Sequence, residues 1–404
     1  MESSFSVSKC AQRARVPKVL FVYEDKRARY LAEALKGKMD LIDVFRVEID
    51  RKEPFFLVNL LLTAMEMTYL MIKKGVFLKK CHMLLNRPRA AFDVLFYYAG
   101  RQPRVVEEMS SRIEKHIYSM PVKPDLVLQW SSMFAPYAGT LKIPFALIID
   151  SYVYPPKTFQ KDKLQTPWRT LYKETLYRFQ RELYFRATCV FTLSKWCKEG
   201  LSKDYGIDPE KIVAIGWAPA KFIDTKKPSE KKDKSILAVG HNYLIKGFDV
   251  LIESAKYLKD FSITIVGKDS KVAFRTYDIP ENVKIMGYVS DETLVRLYSR
   301  SELFFLFSQF EPAGHVLWEA QAYGCVIVGY DAYGIAEAVI NGQTGILLKT
   351  RDPILVAEEI RKLYQDRTKL EKMRKAAIEN YRKNGTWDKV CNQIIRSLRI
   401  DSCD

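Results

Sequence analysis

Residues 303–345 read LFFLFSQFEPAGHVLWEAQAYGCVIVGYDAYGIAEAVINGQTG, and their order decides the fold. The opening run, 303–307, is apolar and of strand length, as a strand buried on both faces requires. Pro312 and Gly314 punctuate a turn, 314–323 reads as a helix, and 325–329 reads as a second buried strand. Strand, helix and strand in so short a stretch make a crossover between parallel neighbours. The helix start offers unpaired N–H groups and a positive dipole end, which suit a phosphate. Glu311 stands in the loop before it. Glu319 follows eight residues on, about two turns further along one helical side. Carboxylates there would repel a bare diphosphate, so they suit sugar hydroxyls. Two ordinary surface glutamates would show the same spacing.

The same alternation extends outward in both directions. Towards the N-terminus, strands are expected over 235–239, 262–266 and 283–286, each followed by glycine (Gly240, Gly267, Gly287), with helices over 247–258 and 291–299. Towards the C-terminus, helices are expected over 353–365, 367–382 and from Trp387. Residues 221–234, KFIDTKKPSEKKDK, are polar and charged and read as an interdomain linker. Before them a second series of strands appears at 18–23, 41–47, 126–128, 145–149, 189–193 and 212–215. Helices are read over 27–36, 104–118, 132–141, 168–186 and 195–204, the last with Ser194 as N-cap. The expectation is α/β, with two doubly wound Rossmann-like domains facing each other across a cleft. Their bounds are a basic leader over 1–17, a first domain over 18–220, the linker 221–234, a second domain over 235–385, and a final helix over 386–404 crossing back to the first domain.

Composition narrows the function classes. The chain has 404 residues, 48% hydrophobic and 28% charged, with a formal net charge of +17. Such a balance favours phosphorylated ligands, acidic membrane surfaces or nucleic acid. No interleaving of aromatic and basic residues supports an RNA-binding surface, so nucleic acid is not expected. The seven cysteines are odd in number and include no CxxC pair. That pattern fits a reducing cytoplasm rather than a disulfide framework or zinc ribbon. The four histidines form no metal motif, and no metal site is expected. Residues 55–72, FFLVNLLLTAMEMTYLMI, approach the length of a membrane span but contain Asn59 and Glu66. A buried helix, an interfacial helix beside Lys73, Lys74, Lys79 and Lys80, and a span are the three readings of it.

The spaced pattern Glu311-Pro-Ala-Gly314, Glu319-Ala320, Ala322, Gly324, Gly334-Ile-Ala-Glu337 and Gly342-Gln-Thr-Gly345 resembles that of the retaining GT-B nucleotide-sugar glycosyltransferases, the large Glu-x7-Glu family. Lys246-Gly-Phe-Asp-Val-Leu-Ile252, Ser194-Lys-Trp196 and Thr386-Trp387 extend the likeness. The resemblance implies that Glu319 accepts hydrogen bonds from the donor ribose. Glu311 would hold sugar hydroxyls and stabilise the anomeric carbon, and Lys246 would neutralise the leaving diphosphate. Gly314, His315 and Val316 would lie near the diphosphate and sugar, with Gly240, His241, Gly287 and Tyr288 completing the donor site. Lys246, read without the resemblance, is an ordinary surface charge. Asp150, where the family often has a His-Asp pair, either contacts the acceptor or ends its strand. His241 stands where the family usually has arginine, and Tyr23-Glu24-Asp25-Lys26 lacks the family's glycine turn.

The resemblance implies hexose transfer from a nucleoside diphosphate sugar with retention of configuration and without a metal cofactor. The apolar 55–72 stretch and the positive charge suggest a lipid-linked or glycolipid acceptor and a peripheral position on the cytoplasmic membrane face. A catalytically silent scaffold on the same fold and a related epimerase or phosphorylase are the competing classes.

Overall fold

Parallel strands need crossover connections, and the apolar runs of this chain meet that need twice. In a computed structural model, residues 17–23, 28–47, 103–136, 141–152, 167–219, 232–241, 243–267 and 278–398 are described. The first sheet comprises β1 (Val19–Tyr23), β2 (Leu41–Arg46), β3 (Leu126–Trp130), β4 (Phe145–Ile149), β5 (Cys189–Thr192) and β6 (Ile212–Ala214). Its order is β2-β1-β3-β4-β5-β6, and every pair is parallel. Helices α1 (Ala28–Leu35), α2 (Pro103–Ser119), α3 (Pro167–Arg186) and α4 (Lys195–Tyr205) belong to this part of the chain. β3 and β4 are buried at every position, whereas edge strand β2 is partly exposed throughout. That contrast is the mark of a sheet covered on both faces.

The second sheet comprises β7 (Lys232–Val239), β8 (Ser262–Val266), β9 (Val283–Gly287), β10 (Ser301–Leu306), β11 (Val326–Tyr330) and β12 (Gly345–Leu348). Its parallel order is β12-β11-β10-β7-β8-β9. Read from the other edge, this is the strand order of dinucleotide-binding folds, with the reversal between β7 and β10. Its helices are α5 (Tyr243–Lys246), α6 (Phe248–Ala255), α7 (Asp291–Arg300), α8 (His315–Ala322), α9 (Tyr333–Ala338), α10 (Pro353–Gln365) and α11 (Arg367–Asn384). The last helix, α12 (Trp387–Ser397), packs against α1 of the first unit. Lys38 pairs with Asp388 at 2.9 Å. Trp217, just after β6, packs edge-on against Trp130 at 4.9 Å and Trp387 at 5.1 Å. Among the described residues, no helix is long and apolar enough to cross a membrane.

Several expectations need correction. Residues 131–136 form bends rather than the start of a helix. The Gln129 amide donates to the carbonyls of Ser131 and Phe134, and Gln180 of α3 donates to Ser132, so these groups are tied up outside a helical ladder. β7 begins at Lys232, inside the expected linker, where Lys234 N–H donates to the buried Glu302 carboxylate at 2.9 Å. α9 and β12 were not expected. Both are short, and α9 begins at Tyr333, whose φ of 53° is unusual for a residue with a side chain. The apolar 55–72 stretch, residues 1–16 of the leader and the Glu24-Asp25-Lys26 turn lie outside the described residues.

Among the described residues, Cys189, Cys197, Cys325 and Cys391 are buried and joined in no disulfide. Burial pushes the Cys189 thiol up to about 11 and the Cys391 thiol up to about 12, and raises Cys197 as well. A thiol with a raised pKa is protonated, and so unreactive, at pH 8. Mass-resolved alkylation at that pH is expected to leave these four unlabelled in the native protein and to label them in urea.

Candidate active site

The reversal between β7 and β10 opens a crevice at the carboxyl ends of those two strands, and the loops leaving them carry the site. β7 runs into Gly240 and then α5, which ends on Lys246. β10 runs through Phe307 and Ser308 to Glu311. Lys246 Nζ donates to Glu311 Oε2, joining residues 65 positions apart. The other carboxylate oxygen, Oε1, accepts from Gly314 N–H at 3.1 Å. Glu311 is only 6% exposed. Both of its oxygens are therefore held, and a positive side chain offsets the cost of burying its charge.

Glycine makes this arrangement possible. Glycine directly follows β7 and β8 and ends β9, all at the same sheet edge. Gly267 N–H donates to Gly287 O at 2.9 Å, and a Cβ on Gly267 would stand 1.9 Å from Gly240 O. A Cβ on Gly240 would meet the Lys246 stem at 2.9 Å. Gly314 takes φ 65° to turn the chain into α8, and His315 and Val316 follow as its first residues. Gly334 N–H donates to Glu311 O at 2.9 Å, so the start of α9 braces the Glu311 loop from behind.

Glu319 lies on α8, but Glu311 does not, so the two share no helical side. Glu319 is 7% exposed and accepts from Tyr298 Oη at 2.9 Å. Burial, and then the adjacent Glu319 charge, push the Tyr298 phenol well above its usual range, which keeps it a proton donor. Sequence reasoning missed Tyr298, because an aromatic residue on an amphipathic helix reads as core. It also missed a buried network behind α8. Gln321 donates to Ala338 O at 3.0 Å, and Asn380 donates to Gln321 at 2.7 Å and to Ala338 O at 3.1 Å, tying α8, α9 and α11 together.

Tyr288 follows Gly287 and is 76% exposed, an unusual position for a tyrosine. His241 follows Gly240 and is exposed. Asp150 is elsewhere, at the end of β4 in the first sheet, where it accepts from Ser151 Oγ at 3.1 Å. The structure thus joins Lys246, Glu311 and Gly314 directly. It sets Glu319 apart on its own partner and leaves Asp150 on the other unit.

Two doubly wound parallel sheets, with the charged site at the second one's reversal, define a GT-B fold. Residues 220–383, which hold the second sheet and the charged site, match the family described as Glycosyl transferases group 1. D-inositol 3-phosphate glycosyltransferase of Corynebacterium diphtheriae is 26% identical over 216 residues, covering 46% of this chain and 50% of that protein. The capsular polysaccharide biosynthesis glycosyltransferase CapM of Staphylococcus aureus is 26% identical over 243 residues, covering 54% of this chain and 62% of that protein. The match thus spans less than two thirds of either relative. Among solved structures, Anabaena HepE in complex with UDP superposes with a TM-score of 0.64 at 15% identity, covering 95% of this chain and 99% of that one.

Two glycines separate strain from crowding. Gly206, the C-cap of α4, has φ 71° and open space around it, while Gly247 has φ 76° and a Cβ there would lie 2.3 Å from Phe307 O. Gly206→Ala is expected to cost about 1–2 kcal/mol from backbone conformation alone. Gly247→Ala, which must also displace the strand end leading to Glu311, should cost more. Urea denaturation of the two variants beside the parent protein checks the ranking.

Proposed function

We propose that the chain transfers a hexose from a nucleoside diphosphate sugar to an acceptor hydroxyl, with retention at the anomeric carbon. One observation carries this reading. Lys246 and Glu311, from the two loops flanking the sheet reversal, are paired beside the N-terminus of α8. The diphosphate lies against Lys246 and the helix start at Gly314, His315 and Val316. Glu311 takes donor-sugar hydroxyls, and Glu319, held by Tyr298, takes the ribose hydroxyls. Gly240, His241, Gly287 and Tyr288 border the rest of the donor. HepE was solved with UDP-glucose as well as UDP, which supports a donor of this class.

In the reaction, the bond from the anomeric carbon to the diphosphate oxygen breaks. The electron pair goes to the diphosphate, where the Lys246 ammonium and the helix dipole stabilise it. The acceptor oxygen bonds to the same carbon on the same face, and its proton passes to the departing diphosphate. Glu311 offsets positive charge developing at the carbon. Asp150, on the first unit, contacts the acceptor. Lys246 and the helix end supply the positive charge that a metal would otherwise bring, so the proposed reaction is metal-independent.

The acceptor in this reading is lipid-linked or a membrane glycolipid, met by a peripheral protein on the cytoplasmic face. The net charge of +17 and the apolar 55–72 stretch, which lies outside the described residues, support it. Flotation with anionic vesicles is expected to carry the full chain upward; its remaining at the bottom at low salt would remove the lipid acceptor from the proposal.

Isothermal titration with UDP and GDP, followed by hydrolysis assays over their sugars, tests the donor half. At least one nucleotide is expected to bind, and no binding of either at millimolar concentration would sink the enzyme reading. Glu311→Gln is expected to lower turnover about a hundredfold. Full activity in that variant would remove Glu311 from its role.

A further inference from the structure

Two motifs remain without a task, Ser194-Lys-Trp196 of the first unit and Gly334-Ile-Ala-Glu337 of the second. The fold brings them together. The Glu337 carboxylate accepts from Lys195 N–H through Oε2 and from Trp196 N–H through Oε1, both at 2.7 Å. Ser194 Oγ accepts from the next donor, Cys197 N–H, at 3.2 Å. The first turn of α4 is thus capped partly by its own chain neighbour and partly by a residue of the other unit. Anionic groups are favoured at this helix end by hydrogen bonding and by the dipole together.

Aromatic packing reinforces the same junction. The Trp196 ring sits edge-on to Phe310 at 5.5 Å and to Tyr333 at 5.4 Å, and those two rings are 5.6 Å apart. Tyr152 stacks on Trp196 from within the first unit at 5.2 Å. Phe310 immediately precedes Glu311. Tyr333 precedes Gly334, whose N–H holds Glu311 O. A Cβ on Gly334 would stand 2.6 Å from Pro312 O, so α9 can press directly against the Glu311 loop. The junction between the units and the brace behind the donor carboxylate are therefore one structure.

We propose that Glu337 is a positioning residue, acting through α4 and the Trp196–Phe310–Tyr333 contact to hold the two units in the arrangement in which Glu311 is presented to the first unit. In that reading every donor-binding residue belongs to the second unit. Loss of Glu337 therefore weakens the alignment of acceptor with donor and lets water compete at the anomeric carbon. The kinetic part of this inference rests on the glycosyltransferase reading above; the structural part does not.

The test compares full-length parent protein, Glu337→Gln, Glu337→Ala and Ser194→Ala. Ser194→Ala is the control, because it uncaps the same helix without touching the second unit. The distance between the units is read by small-angle scattering and by fluorescence transfer between dyes on the two units, at low and high salt. Glu337→Ala is expected to be more open than the parent, and Ser194→Ala unchanged. Raising the salt should open the parent towards the Glu337→Ala state, since the contact is electrostatic and exposed. With a donor in hand, Glu337→Gln is expected to lower kcat about tenfold, with donor KM within about twofold of the parent. Its ratio of donor hydrolysis to transfer should rise. Equal inter-unit distances in Glu337→Ala and Ser194→Ala, or equal kcat losses in the two, would overturn the proposal. If the parent transfers no sugar at all, the glycosyltransferase reading fails while the distance measurement still decides the role of Glu337.

Discussion

A parallel sheet cannot be built from hairpins, so every connection must cross a face and every strand must end on the same edge. That constraint gathers this chain's chemistry. At the reversal between β7 and β10, the crossovers depart to opposite sides and leave a crevice that the sheet cannot fill. Lys246 and Glu311 reach it from loops far apart in sequence. The glycines at the ends of β7, β8 and β9 keep the same edge low enough for backbone to lie against backbone. In this respect the site is a property of strand order before it is a property of any side chain.

Each carboxylate there has its orientation fixed in advance. Glu311 is held by an ammonium and a backbone N–H, and Glu319 by a buried phenol that cannot readily lose its proton. Behind them, the Gln321–Asn380–Ala338 network fixes α8 against α9 and α11. Buried polar groups of this kind confer rigidity only when all are satisfied. Donors and acceptors arranged this way do not have to reorganise when charge moves, which is the principal electrostatic means by which proteins favour a charged transition state.

Much of this was legible in the sequence because it is periodic or punctuated. Fully buried strands such as 145–149 announce themselves as unbroken apolar runs, and Gly240, Gly267, Gly287 and Gly314 mark the strand ends and the helix start. The Ser194 cap was readable from its hydroxyl and position. What escaped was set by partners distant in sequence. Residues 132–135 carry helix-compatible side chains, but Gln129 and Gln180 claim polar groups there, and Pro136 lacks the N–H that a helix interior needs. α9 is one and a half turns long and starts from a strained tyrosine, so no periodicity betrays it. Tyr298 and Asn380 look like ordinary helix residues until the carboxylate and amide they serve are placed beside them. The separation of Glu311 from Glu319 was hidden in the same way, since spacing counts residues but not where the helix begins.

The return of α12 to the first unit has a mechanical consequence. The main chain passes between the units twice, once between β6 and β7 and once near Gly385, where a Cβ would stand 2.5 Å from the Trp318 ring. Two bodies tethered at one point can swivel in any direction. Tethered at two, they keep chiefly one rotation, about the line joining the tethers. The final helix thus acts as the second leaf of a hinge. It favours swings of the two sheets about the strip where the crossings meet, which the Trp217–Trp387 contact marks.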